Sequence, residues 1–292
     1  MTRVAVLTPD PADPSYAGQW PGVLERLSAA LVRAGIVAEP TAWTDHVEDA
    51  SGLADYPLVL PVIAWGYHRD HARWMQACAT WSAAGVPLAN PASVLAWNSD
   101  KSYLGRLADK GVAIPPTLMS QGITQSQVNA AFDSFGSDQV IVKPTVSGGA
   151  WRTLRLSPGQ ALTDPPVGAA MIQPYLQTIA SHGELSLLFF GRVFSHAVLK
   201  RPVDGDFRIQ VQFGGLYAAV AEPPAAALAL ARTVLDAIEE PLLYARIDMV
   251  PDADGRWLLM EAELIEPDFY LGTAPAGGDA FAAAVQSKLA AG

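Results

Sequence analysis

The sequence predicts an α/β protein, with a parallel α/β domain at the N-terminus followed by mainly antiparallel α+β units. Three observations carry this. The first hundred residues alternate short apolar strand runs with amphipathic helices, the signature of a parallel sheet. From about Lys101 the order changes to successive strands, two of them joined by a Gly191-Arg192 turn. A chain of 292 residues, half of them hydrophobic, has enough apolar material for two or three packed subdomains.

The elements follow in order. Residues 4–7 read as a buried strand, and a Pro/Asp-rich loop runs from Pro9 to Pro14. The stripe Val23, Leu24, Leu27, Ala30 and Leu31 predicts a helix that Gly35 ends. Residues 58–65 read as the next strand, leading into Trp65-Gly66-Tyr67-His68, and 70–84 as a helix. A helix over 101–110 precedes an extended segment, 112–119, which Pro115-Pro116 restricts to an edge position. A polar helix over 125–135 leads to strands at 139–143, 171–176, 185–190 and 193–200. The Ala-rich stretch 224–238 is helical, and strands at 242–250 and 256–265 follow. The expected division is 1–97 as an N-terminal substrate-side domain, 98–180 as a central lid, and 181–292 as a C-terminal unit.

Composition excludes several classes. A net charge of −10 argues against binding nucleic acid, which needs basic surface to neutralise phosphates. No apolar run approaches the ~18 residues of a membrane span. The N-terminal segment lacks the apolar core and cleavage site of a signal peptide. The one cysteine, Cys78, lies in an apolar helical stretch and reads as a buried structural thiol, which fits a reducing cytoplasm.

The C-terminal hairpin carries the strongest chemical signal. Folding about the turn 251–256 sets Asp248 opposite Glu261, and the two-residue period puts Glu263 on the face of Glu261. Ile247, Met249, Met260 and Leu264 would form the other face. Acids so placed repel one another unless cations neutralise them. An all-oxygen donor set without histidine favours Mg²⁺ or Mn²⁺ over zinc. A solvated acidic strand face is the alternative.

Other segments supply cations and small residues. A strand ends in Lys143-Pro144, and Ser147-Gly148-Gly149 is small enough to lie close over a phosphate. A simple hairpin connection would look the same. Lys101 begins a helix after Asn98-Ser99-Asp100, where a surface lysine is the alternative. Gln173-Pro174-Tyr175-Leu176 could border an adenine. Lys200, Arg201 and Arg208 bring three cations to the ends of extended segments, and arginine suits bidentate binding of a carboxylate or phosphate. A solvated basic edge is the other reading.

The order of these segments, with Gly183-Glu184 and Arg246-Ile247-Asp248, resembles the ATP-grasp ligases of the glutathione synthetase and RimK-like branch, over residues 98–267. Phrases such as Phe194-Ser195-His196 and Glu263-Leu264-Ile265-Glu266-Pro267 are similar to the cyclo-ligases that form D-cycloserine. The resemblance implies an ATP-grasp fold and that Lys101 and Lys143 bind ATP phosphates beneath the Ser147 loop. It also implies that Gln173 to Leu176 border the adenine and that Glu184 lies near nucleotide or substrate. Arg208, Arg246 and Lys200 would serve the reacting carboxylate. Asp248, Glu261 and Glu263 would hold two Mg²⁺ ions, or Mn²⁺. One position departs from the family pattern, because Glu263 stands where many members carry asparagine.

The implied activity is ATP-dependent formation of a carbon–nitrogen bond through an acyl phosphate, as ring closure of O-ureido-D-serine to D-cycloserine. The substrate class is a small amino-acid-like carboxylate, selected by Asp10, residues 65–68 and Arg208. His68 reads either as a base or as a plain surface histidine. An intermolecular amino-acid or peptide ligase, a kinase and a non-catalytic ATP-binding module are the alternatives. Oligomeric state, a homo-oligomer included, stays open.

Overall fold

The computed structural model describes residues 1–203 and 214–291. Strand β1 (Thr2–Thr8) pairs in parallel with β2 (Ile36–Ala42) and β3 (Val59–Leu60), giving the order β2-β1-β3. Helix α1 (Trp20–Arg33) returns the chain between the first two strands. β2 escaped the sequence reading because Glu39 and Pro40 interrupt its apolar pattern, which an edge strand tolerates. β3 is far shorter than the expected 58–65, since the chain turns at Pro61. Helix α2 (His71–Ala83) then packs Trp74, Ala77, Cys78 and Trp81 beneath the sheet, so Cys78 is a buried core thiol as expected.

Short helices α3 (Ala92–Asn98) and α4 (Tyr103–Asp109) lead to the second sheet. Strand β4 (Leu118–Gln121) forms its edge just past Pro115-Pro116. Helix α5 (Gln125–Phe135) starts at a capping box in which Thr124 and Gln127 satisfy each other's backbone N–H. Strands β5 (Val140–Pro144), β6 (Leu154–Leu156) and β7 (Ala169–Pro174) complete an antiparallel sheet of order β4-β7-β5-β6. Val140 and Val142 point into the core with α5, so Ile141 and Lys143 face the opposite side.

After α6 (Thr178–His182), strands β8 (Glu184–Phe190) and β9 (Val193–Arg201) form the expected hairpin, with Gly191 and Arg192 both at positive φ. Strand β10 (Leu216–Val220), helix α7 (Ala225–Asp236), β11 (Tyr244–Pro251) and β12 (Trp257–Glu263) follow. The sheet order is β10-β9-β8-β11-β12, antiparallel throughout.

Period-two alternation divides this sheet. Leu185, Leu187, Phe189, Ala197, Ala245, Ile247 and Met249 pack with residues of α4 and α7. On the other face, Leu188, Phe190 and Tyr244 pack against the N-terminal sheet, while the residues further along the same strands, Glu184, Ser186, Arg246 and Asp248, are polar or charged. The last helix, α8 (Asp279–Ala291), packs both on α1 and on β8, where Phe281 meets Phe190. Phe281, Ala282 and Val285 join the core beneath β1, and Asp279 pairs with Arg33 at 2.8 Å. Among the described residues no helix is long and apolar enough to cross a membrane.

Candidate active site

The charged face of the third sheet is a cluster of buried and half-buried acids and bases. Asp248 lies opposite Glu261, and Arg246 opposite Glu263. A bulge after Asp248 pairs Met249 with Leu259 and skips Met260. Leu259 rather than the expected Met260 therefore fills the core face, while Ile247, Met249 and Leu264 are there as expected.

The acids are not left facing one another. Arg246, 7% exposed, donates from Nε and Nη2 to Asp248 and from Nη2 to Glu263. Lys200, 3% exposed, sits 3.0 Å from Asp248 and 2.5 Å from Glu184. Lys101 reaches Glu261 at 3.4 Å. The Ser186 hydroxyl, paired in register with Asp248, donates to its Oδ1 at 2.6 Å. Burial alone would raise the Asp248 pKa, but Arg246 and Lys200 outweigh it and hold the carboxyl well below the usual range. Glu261 is also lowered, burial being outweighed by Lys101 and Lys143. Glu263 and Glu266 are less well served. Burial pushes them up to about 8 and about 7, against Arg246 for Glu263 and against its own backbone N–H, Lys101 and Arg246 for Glu266. Glu184 is raised by burial despite Lys200.

Two lysines approach from the other units. Lys101 donates its backbone N–H to Thr145 O at 2.8 Å and its ammonium to Ser147 O at 2.9 Å, so it holds the glycine loop beside the acids. Lys143 projects from the inner face of the second sheet, where burial lowers its pKa against the pull of Glu261. Gln173 shares that face, opposite Ile141, and its amide donates to the Thr117 hydroxyl at 2.9 Å. Tyr175 is buried beneath the Arg155 guanidinium, with Pro174 and Leu176 partly exposed beside it. Ser147 is buried, and Gly148 and Gly149 continue its loop. Arg208 lies outside the described residues.

Backbone chemistry explains the local geometry. Gly183 has φ +82, and a Cβ there would fall 2.5 Å from Lys200 O; only glycine lets β8 begin so close to β9. Residues the sequence reading passed over complete the frame. The buried Asn98 amide donates to Ala262 O at 2.8 Å and its oxygen accepts from Leu264 N–H at 3.0 Å. The Tyr103 hydroxyl accepts from Ala262 N–H. The Tyr270 ring lies 5.4 Å from the Arg246 guanidinium. Asn98 stood in the quoted Asn98-Ser99-Asp100 run without a role of its own, and Ser186 left a trace as the one polar residue within the apolar run 185–190.

The donor chemistry suits a hard divalent cation, because Glu263 and Glu266 carry burial that the nearby cations do not offset. The cage is not pre-assembled: among the described residues no three acidic, His or Cys side chains close on one point. Arg246 and Lys200 instead occupy the Asp248 carboxylate oxygens.

Comparison with known proteins decides the family. The model of the D-cycloserine synthetase DcsG N-terminal domain matches residues 4–90. The cycloserine biosynthesis protein DcsG of Streptomyces lavendulae is 30% identical over 277 residues, covering 87% of this chain and 90% of that protein. The chain belongs to the DcsG family. The crystal structure of D-cycloserine synthetase DcsG superposes with a TM-score of 0.79 at 25% identity, covering 98% of this chain and 99% of that one. The D-alanine–D-alanine ligase of Bacillus anthracis, solved with ATP, gives 0.68 at 15% identity, covering 100% and 99%. Membership of the DcsG family, together with this fold, makes the chain an ATP-grasp ligase, a class that forms carbon–nitrogen bonds at the expense of ATP.

Proposed function

We propose that this ligase closes the ring of O-ureido-D-serine to give D-cycloserine. The observation that carries the reading is the convergence of Lys101, Lys143, Lys200 and Arg246 on Asp248, Glu261 and Glu263, in a chain whose 30% identical relative is named for cycloserine biosynthesis.

The substrate carboxylate attacks the γ-phosphate of ATP, forming an acyl phosphate and releasing ADP. The ureido nitrogen bonded to oxygen then attacks the acyl carbon and expels phosphate. Water removes the carbamoyl group as carbon dioxide and ammonia. Lys101 and Lys143 would bind the phosphates, with the 147–149 loop above them and Gln173 to Leu176 along the adenine. Asp248, Glu261 and Glu263 would hold Mg²⁺, which supplies charge neutralisation of the triphosphate. Arg246 spends its hydrogen bonds on Asp248, Glu263 and Asp268 O, so its role is to orient the acids. Lys200 lies between Asp248 and Glu184, and its charge opposes the effect of burial on both. Closure of the central sheet would exclude water, which otherwise hydrolyses the acyl phosphate.

Incubation with ATP, Mg²⁺ and O-ureido-D-serine alone, with mass analysis of the product, tests this. ADP and D-cycloserine should appear together. A strict need for a separate amine would instead make the enzyme an intermolecular ligase.

A further inference from the structure

His68 stands on the short helical turn Tyr67–Arg69, beyond the carboxyl end of β3. The turn is firmly mounted. Tyr67 is buried with its ring 4.9 Å from Trp74, and the Arg69 guanidinium donates to Asp13 and to the Ser15 hydroxyl, each at 2.8 Å. From this mount the imidazole meets the glycine loop. A Cβ added to Gly148 would fall 3.0 Å from Nδ1 and 3.1 Å from Cε1 of His68, and the Trp151 ring lies 5.9 Å from the imidazole. His68 is therefore not the surface histidine that its sequence context allows.

The loop is gripped from two sides, by His68 and by Lys101 through Thr145 O and Ser147 O. Ala150 and Arg152 take φ values of 61° and 54°, which non-glycine residues keep only when surrounding contacts hold them. The charged groups facing His68 are Arg69, Lys101 and Asp13. Burial and the two cations lower its pKa to about 4, so an uncharged ring lies against the loop at neutral pH. Gly148 itself has no left-handed backbone, so the space taken by His68 explains why glycine fits there.

We propose that His68 is a positioning residue that docks the 147–151 loop onto the N-terminal unit and so ties the substrate side to closure over the ATP phosphates. This rests on the ligase reading above. Docked, the loop shields the acyl phosphate; undocked, it lets water in, and ADP forms without product.

The test compares wild type with His68→Ala, His68→Gln, Gly148→Ala and the His68→Ala/Gly148→Ala double variant. Amide exchange of residues 146–152 without substrate should quicken on the order of tenfold in His68→Ala. The ADP released per product should rise above the wild-type ratio. His68→Gln keeps a polar side chain of similar reach and reports on the contact should the alanine variant fold poorly. Gly148→Ala should show the same defect, and should add little in the His68→Ala background, where the ring is gone. Unchanged exchange and an unchanged ADP-to-product ratio in both His68 variants would overturn the proposal, as would a Gly148→Ala defect that adds in full to His68→Ala. Wild type that forms no ADP with any carboxylate would sink the ligase reading instead. The exchange measurements would then decide docking alone, loss of loop protection supporting it and retention overturning it.

Discussion

Replacing Lys200 by methionine removes the cation that Glu184 and Asp248 share, at 2.5 and 3.0 Å, in a place 3% exposed. The two acids fare differently. Asp248 keeps Arg246 and the Ser186 hydroxyl, whereas Glu184 loses the ammonium that opposes its burial. Breaking a buried pair costs ~3–5 kcal/mol, and Glu184 can limit the loss by taking up a proton, which points to ~3 kcal/mol. At roughly 2–4 °C per kcal/mol for a chain somewhat smaller than this one, the melting temperature should fall by about 6–12 °C. Adding Glu184→Gln removes the stranded charge and should restore about half of the loss, a coupling on the order of 1–2 kcal/mol in a double-mutant cycle read by urea unfolding. Additive losses, or a Lys200→Met protein within about 0.5 kcal/mol of wild type, would refute this account of the buried network.

Other outcomes follow from single contacts. Asn98→Ala strands Leu264 N–H inside the protein, while Ala262 O keeps the Tyr103 hydroxyl at 3.2 Å, and should cost ~1–3 kcal/mol in denaturant unfolding. Burial pushes the Cys78 thiol up to about 12, so a thiol reagent should label it only on unfolding; fast labelling of the native protein would contradict its place in the core. The folded pKa of His68, about 4, lies below its ordinary 6.5. As pH falls through 6.5 the unfolded chain binds a proton that the folded chain refuses, so wild type should lose up to ~3 kcal/mol relative to His68→Gln by pH 4. Parallel stability curves for the two proteins over that range would show that His68 is not held neutral.

Much of the fold was legible because local signals agreed with tertiary context. The polar helix read over 125–135 is α5 with the same bounds, and Pro115-Pro116 confines β4 to an edge. Alternation along 242–263 predicts the Asp248–Glu261 pairing that the structure contains. The bulge at Met260 was not legible, since a one-residue insertion leaves the composition of both strands unchanged. Nor was the neutralisation of the acids. Lys200 meets Asp248 only because β8 lies between β9 and β11, a matter of strand order rather than of spacing along the chain. The same holds for His68, whose partner Gly148 is eighty residues away and belongs to another sheet's loop. The edge strand β2, with Glu39 and Pro40, lacked the alternation that announces a strand.

Ring closure requires that a carboxylate be activated on phosphate and then captured within the same molecule. O-ureido-D-serine labelled with ¹⁸O in both carboxylate oxygens tests it directly. One labelled oxygen should appear in the inorganic phosphate and one should remain in the D-cycloserine carbonyl, without any added amine. Phosphate free of label would contradict the acyl phosphate, and labelled phosphate that forms only when a second amine is supplied would contradict ring closure.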